Sequence, residues 1–278
     1  MENIINGLKT NRLFAVYSLL VVLLIIVAMA APVLAPHDPL EAVLKNAYLP
    51  PSAEHFFGTD KLGRDNFSRI LYGAAYSLSS VLLLVTLIFI IGTGLGVLAG
   101  YYGGKLDMVI MRISDMMISF PGMILAIAIA GILGGSLINA MIALIAVTWT
   151  KYARLARSMV LKIKKRDFVE AAIVNGGTPL HILWRHILPN ILPLMVITAA
   201  SDIGAMMMEM AGLSFLGFGS QPPAPEWGLM LNEGRQQLQT APWLMIFPGL
   251  AILITVVIFN LWGDALRDVL DPRQEDDK

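Results

Sequence analysis

Cysteine is absent from the 278 residues, which removes disulfide frameworks, thiolate nucleophiles and thiolate zinc sites together and leaves the redox compartment open. Charge is also scarce. Asp, Glu, Lys and Arg make up 14% of the chain, against about 25% in soluble domains. The formal net charge is +0, and the basic residues sit in particular loops, so no stripe suited to nucleic acid is present. Histidine occurs four times, as His37, His55, His181 and His186. All four fall in segments that read as loops, and their spacing shows no nucleophile with a base and no metal triad, against a membrane-embedded enzyme. His181 and His186 are five apart, which is not the i, i+4 pair of a helical metal site. No G-x-x-x-x-G-K-[ST] stretch occurs, so nothing here cradles ATP phosphates.

What the chain has instead is long apolar runs. Hydrophobic residues reach 56% and mean hydropathy is +0.70, the signature of an integral membrane protein. A bilayer span takes about 20 apolar residues. The runs Leu13 to Ala35, Leu78 to Gly100, Met116 to Leu133, Leu137 to Tyr152, Ile191 to Ala211 and Trp243 to Gly263 predict an all-α, polytopic protein of about six transmembrane helices. The third and fourth are joined only by Gly134-Gly135-Ser136, so they form a tight antiparallel hairpin. Ala28-Met29-Ala30 looks like a signal-peptide cleavage site, but the run before it is too long for one, and a retained helix is expected.

Lys and Arg in the short loops set the orientation. One side receives Lys9, Arg12, Lys105, Arg112, the run from Lys151 to Arg166, Arg185, Arg267 and Arg273; the other has only Lys45, Lys61, Arg64, Arg69 and Arg235. The expected layout is a cytoplasmic N-terminus at 1–12, a first helix at 13–35 and an external segment at 36–77. A transmembrane core at 78–263 follows, containing a cytoplasmic loop at 151–190, and then a cytoplasmic tail at 264–278. Within the external segment, Asp60 with Arg64 and Asp65 with Arg69 sit four apart and suggest a short surface helix with ordinary ion pairs, capped by Thr59.

The loop at 151–190 interrupts the apolar pattern with a defined shape. Asp167 and Glu170 form a capping-box pair for a helix through Val174. Gly176-Gly177 ends it, and Thr178 with Pro179 at once starts another. Leu180, Leu183, Trp184, Ile187 and Leu188 recur as one apolar stripe, and Pro189 is expected to separate this helix from the next span. The result is a helix, a corner and a second helix, with little side chain at the tip.

Glu170-Ala171-Ala172, Gly176, Gly177, Ile187 and Leu188-Pro189 resemble the EAA loop of permease subunits of bacterial ATP-binding-cassette (ABC) importers. One departure is His186, where the family usually has Ile. The stretches Phe57 to Arg69, Arg112 to Pro121, Leu213 to Leu231 and Asn260 to Arg273 extend the resemblance over nearly the whole chain, to the second permease of the dipeptide, oligopeptide and nickel family. The resemblance implies coupling of the corner to an ATPase and alternating access. It implies a homologous second permease, two ATP-binding subunits and an extracytoplasmic substrate-binding protein as partners, in a bacterial inner membrane with both termini cytoplasmic. No cofactor is implied on this chain; ATP and Mg belong to the partner ATPases.

Other residues offer a path and a gate. Phe120-Pro121 breaks the third span, which a membrane tolerates only where neighbours or a cavity satisfy the backbone. Asp202 and Glu209 share one face of the fifth helix, and intramembrane acids are candidates to line a path. Met206 and Met210 stand beside them in a string similar to nickel permeases; thioethers are soft ligands, although methionine more often packs. Phe215, Gly217, Pro222, Pro223, Glu226 and Trp227 mark either an outer gate or landing surface, or an ordinary well-folded loop. The expected cargo is nickel or a nickel chelate, with di- or oligopeptides as the alternative. An ion-coupled secondary carrier would need internal repeats and has no use for the EAA loop. A voltage sensor at Lys151, Arg154 and Arg157 lacks a filter to serve.

Overall fold

The computed structural model describes residues 11–270. The expected termini at 1–10 and 271–278, with Lys9 and Arg273, lie outside them. Among the described residues the regular elements are all helices, with one isolated bridge between Thr59 and Asp65 in place of any strand.

Helix α1 (Arg12–Met29) starts where the Asn11 side chain accepts from the Phe14 amide. An irregular strap follows, and then α2 (Asn66–Tyr102), capped by Asp65 accepting from the Ser68 amide at 2.8 Å. At 1.5 Å per residue α2 rises about 55 Å, well beyond a bilayer core. The expected span Leu78 to Gly100 is thus only part of it. The extra turns, with Asn66, Ser68 and Arg69, are buried against other protein.

The expected third span, Met116 to Leu133, takes in only the end of α3 (Gly104–Ile118) before α4 (Gly122–Leu133), and the two helices meet at 95°. Pro121 lacks an N–H and holds its predecessor out of helical geometry, which explains the break. The expected fourth span lies within α5 (Leu137–Ile163), capped by Ser136. Its second half carries Lys151, Arg154 and Arg157, so it is less uniformly apolar than the others. Among the described residues four helices are long and apolar enough to cross a membrane, or five counting the bent pair; the remaining expected span, the fourth, lies in this 27-residue α5.

After the short α6 (Asp167–Val174) comes α7 (Pro179–Phe215). Contrary to expectation, Pro189 does not end it. The turn Leu183–Ile187 is π-helical, which shifts the backbone register ahead of the missing N–H, and Asn190 Nδ2 donates to the His186 carbonyl at 2.6 Å. Helices α8 (Trp227–Gly234) and α9 (Trp243–Leu270) complete the chain.

Close packing rests on small residues. A Cβ on Gly92 would meet the Trp149 carbonyl at 2.6 Å, one on Gly96 the Ala153 carbonyl at 2.3 Å, and one on Gly100 the Val160 Cβ at 2.8 Å. These three glycines at four-residue spacing let the α2 and α5 backbones touch, as small-xxx-small stripes do in membranes. Gly204 of α7 and Gly263 of α9 bring those two helices together, a Cβ on the first meeting the Asn260 side chain at 2.3 Å and one on the second the Ser201 backbone at 2.8 Å.

Candidate functional site

The corner lies at the end of the bundle where α2 and α5 finish, since Lys164 Nζ donates to the Tyr101 carbonyl at 2.6 Å. Helix α6 begins without the expected capping box. Arg166 holds the cap position with no side-chain bond, and Asp167 and Glu170 are acids of the first turn, complementing the helix dipole. Gly176, at φ +80°, ends the helix: Gly177 N donates to the Ala172 carbonyl and Gly176 N to the Ile173 carbonyl, both at 3.0 Å. This is a Schellman motif, and it requires a residue at ease in the left-handed region. Thr178 caps the next helix as expected, accepting from the His181 amide at 3.3 Å.

The expected apolar stripe is divided between two surfaces. Leu183 and Ile187 are buried together with Ile182, while Leu180 and Trp184 are exposed. With Phe168, Ile173 and Val174 they rim the corner, and Val174 reaches 85% exposure. Nothing approaches within 4 Å of where a Gly176 Cβ would stand. Glu170 and Ala171 are exposed, and Ala172 is half-buried.

Along α7, Asp202 is buried and receives Lys151 Nζ at 2.7 and 2.8 Å and the Tyr152 hydroxyl at 2.9 Å. Arg154 pairs with Asp115 at 3.3 Å and Arg157 with Asp107, so Lys151, Arg154 and Arg157 of α5 are all tied to neighbouring helices. Glu209 is half-buried; Met206 and Met210 are buried in the core, and Met208 is exposed. Phe120 and Pro121 stand exposed at the bend between α3 and α4.

At the opposite end, Pro222 and Pro223 are exposed, joined by a cis peptide bond, as is Gly217, while Phe215 is half-buried. Glu226 and Trp227 are both buried. Trp227 Nε1 donates to the Ile70 carbonyl at 3.0 Å, and Glu226 accepts from the Gly228 and Leu229 amides at 2.9 Å to cap α8. Burial pushes the Glu226 carboxyl above its ordinary value, against the opposing effect of these hydrogen bonds.

The same end holds a charge network that the sequence did not reveal. Arg64 and Arg69 are fully buried. Arg64 Nε donates to Asp60 at 2.6 Å and Arg69 Nη1 to the same carboxylate at 2.5 Å; Glu233 on α8 receives Arg69 Nη2 at 2.8 Å and Arg64 Nη2 at 3.2 Å. The expected surface helix with Asp65 paired to Arg69 is therefore replaced by a turn at 60–65, with Asp65 turned to His55 at 2.9 Å. Burial explains the exchange: two guanidinium groups out of water need both acids, and only Asp60 and Glu233 reach them.

The comparisons match this architecture. Residues 92–276 fit the model of the binding-protein-dependent transport system inner membrane component, and residues 3–51 that of the N-terminal transmembrane domain of oligopeptide transport permease C. A dipeptide transport system permease protein of Alkalihalophilus pseudofirmus is 46% identical, covering 96% of this chain and 88% of its own. The nickel transport system permease protein of Escherichia coli K12 is 41% identical over 91% and 92%. A solved structure of the MetNI methionine ABC transporter shares the fold, with a TM-score of 0.58 at 22% identity over 73% of this chain and 97% of that one. The chain belongs to the binding-protein-dependent transport system inner membrane components, as a multi-pass permease subunit of an ABC transporter.

Proposed function

We propose that this chain pairs with a homologous permease to form the path of an importer, and that the corner around Gly176 couples it to ATPase subunits that carry the ATP and Mg. The observation that carries the reading is the exposed apolar rim of Phe168, Val174, Leu180 and Trp184 around a tip with no side chain. Such a rim stands in water unless a partner covers it, and the bare tip admits a partner's side chains closely. The excess of Lys and Arg at this end supports a cytoplasmic position, with both termini on the same side. The opposite end, with the exposed Pro222-Pro223 turn, then faces an extracytoplasmic binding protein that delivers the cargo.

The mechanism is alternating access. Closure of the ATPases moves α6 and the start of α7, and the unbroken length of α7 carries that motion to Asp202 and Glu209 inside the bundle. Of the residues proposed for the path, Glu209, Phe120 and Pro121 keep exposed surface in the isolated chain. Buried Met206 and Met210 fit packing, as methionines in irregular cores do. The cargo is nickel, a nickel chelate or a small peptide; nickel and dipeptides are the cargoes of the relatives' named transport systems.

The test is uptake by proteoliposomes holding the whole complex, comparing radioactive nickel with a labelled dipeptide, for wild type and Gly176→Trp. A non-glycine residue in the left-handed region costs about 1–2 kcal/mol, which leaves the bundle folded while the indole obstructs docking. Assembly with ATP hydrolysis no longer coupled to uptake is expected. Unimpaired uptake of either cargo by the assembled variant would overturn the coupling role.

A further inference from the structure

We propose that His37, His55 and Asp65 form a binding site for a divalent transition metal at the N-terminus of α2. The three residues come from separate segments, yet a ring nitrogen of each histidine and a carboxylate oxygen lie within 4.8 Å of one another. Asp65 Oδ1 stands 2.9 Å from His55 Nδ1 and 3.9 Å from His37 Nδ1. Metal–ligand bonds of 2.0–2.2 Å in tetrahedral geometry place donors about 3.3 Å apart, so the two separations bracket the value an ion requires.

Each ligand is held from behind. Asp65 Oδ2 is committed to the Ser68 amide as the cap of α2, leaving Oδ1 free to point at the rings. His37 is anchored by its own amide, which donates to Ser68 Oγ at 3.2 Å. His55 is fixed by a turn in which its amide donates to Ser52 Oγ at 3.1 Å and the Ser52 amide to its carbonyl at 2.8 Å. Ser68 therefore locates two of the three ligands.

The electrostatics make the same case. His37 Nδ1 is buried and has no hydrogen-bond partner. Turned toward a carboxylate oxygen beyond hydrogen-bonding range, that nitrogen gains nothing as a lone pair and too little as a donor. A cation between the two resolves both positions. Two imidazoles and one carboxylate suit zinc, nickel or copper, not the all-oxygen shells of calcium and magnesium. His55 and Asp65 are buried, while the His37 side chain is 35% exposed, which leaves an entry and an open coordination position for water. The ion would pin the strap after α1 to the first turn of α2.

The test uses the complete complex in detergent without its binding protein, titrated with Co²⁺ and followed by visible absorption, with Zn²⁺ as competitor. His37→Gln leaves the cap and the His55–Asp65 bond in place, and His181→Gln is the control at the other end. Wild type and His181→Gln are expected to show the band of a nitrogen- and oxygen-ligated site and displacement by Zn²⁺. His37→Gln should bind about tenfold more weakly or worse, and chelator should lower the melting midpoint of wild type and His181→Gln but not of His37→Gln. Equal Co²⁺ spectra and affinity in wild type and His37→Gln, or no Co²⁺ binding by an intact wild-type complex, would overturn the proposal.

Discussion

Arg69 Nη2 lies 2.8 Å from Glu233 Oε2, joining residues 164 positions apart. The bond ties the first turn of α2 to α8, and through Asp60 and Arg64 it belongs to a four-charge set with no net charge. Such a set contributes little against an apolar replacement of the whole, yet breaking it leaves a buried charge alone. Arg69→Met is therefore expected to destabilise the complex by about 3–5 kcal/mol. Restoring neutrality with Glu233→Gln in the same chain should recover part of the loss. Thermal melts of Arg69→Met, Glu233→Gln and the double variant check this; additive losses would show that the pair is not coupled.

Much of the architecture was legible because it depends on local chemistry. Apolar runs located the spans, Gly176 and Thr178 located the corner, and Pro121 located the bend. What escaped the sequence reading depends on long-range pairing. Arg64 does pair with Asp60 four residues away as the spacing suggested, but Arg69 pairs with Asp60 and Glu233 instead of Asp65, since spacing says nothing of Glu233. His37, His55 and Asp65 come together only because the strap folds back on α2. One missed feature was readable: Gly92, Gly96 and Gly100 follow the G-x-x-x-G pattern of close helix contacts.

Those glycines give a paired prediction. Gly96→Ala drives a Cβ to 2.3 Å from the Ala153 carbonyl, whereas Gly94, two residues earlier, has nothing within 4 Å. Overpacking at position 96 is expected to cost about 1–3 kcal/mol, while Gly94→Ala should be neutral or stabilising by up to about 1 kcal/mol. Melting midpoints of the purified variants decide it, and equal behaviour would mean that α2 and α5 are not in this contact.

The Lys151–Asp202 pair crosses between α5 and α7. Because the Lys151 side chain is 56% exposed, it can rehydrate when its partner is lost, and the coupling should be nearer 1 kcal/mol than the value for a fully buried pair. A double-mutant cycle with Lys151→Met and Asp202→Asn measures it. A coupling indistinguishable from zero would assign Asp202 to Tyr152 alone.

Glu226 supplies a pH dependence. Its carboxyl is raised from 4.5 chiefly by burial, so the native state holds this proton more tightly than the unfolded chain does. By linkage, stability then falls as pH rises from about the unfolded value through the higher native one. The amides of Gly228 and Leu229 donate to different oxygens of Glu226, so Glu226→Gln keeps one of the two cap bonds through its amide oxygen, at a pH-independent cost, while the titration is removed. The variant should therefore lose less stability than wild type on going from mildly acidic to neutral pH. Parallel slopes of melting midpoint against pH for the two proteins would show that Glu226 carries no such burden, and that the backbone bonds outweigh its burial.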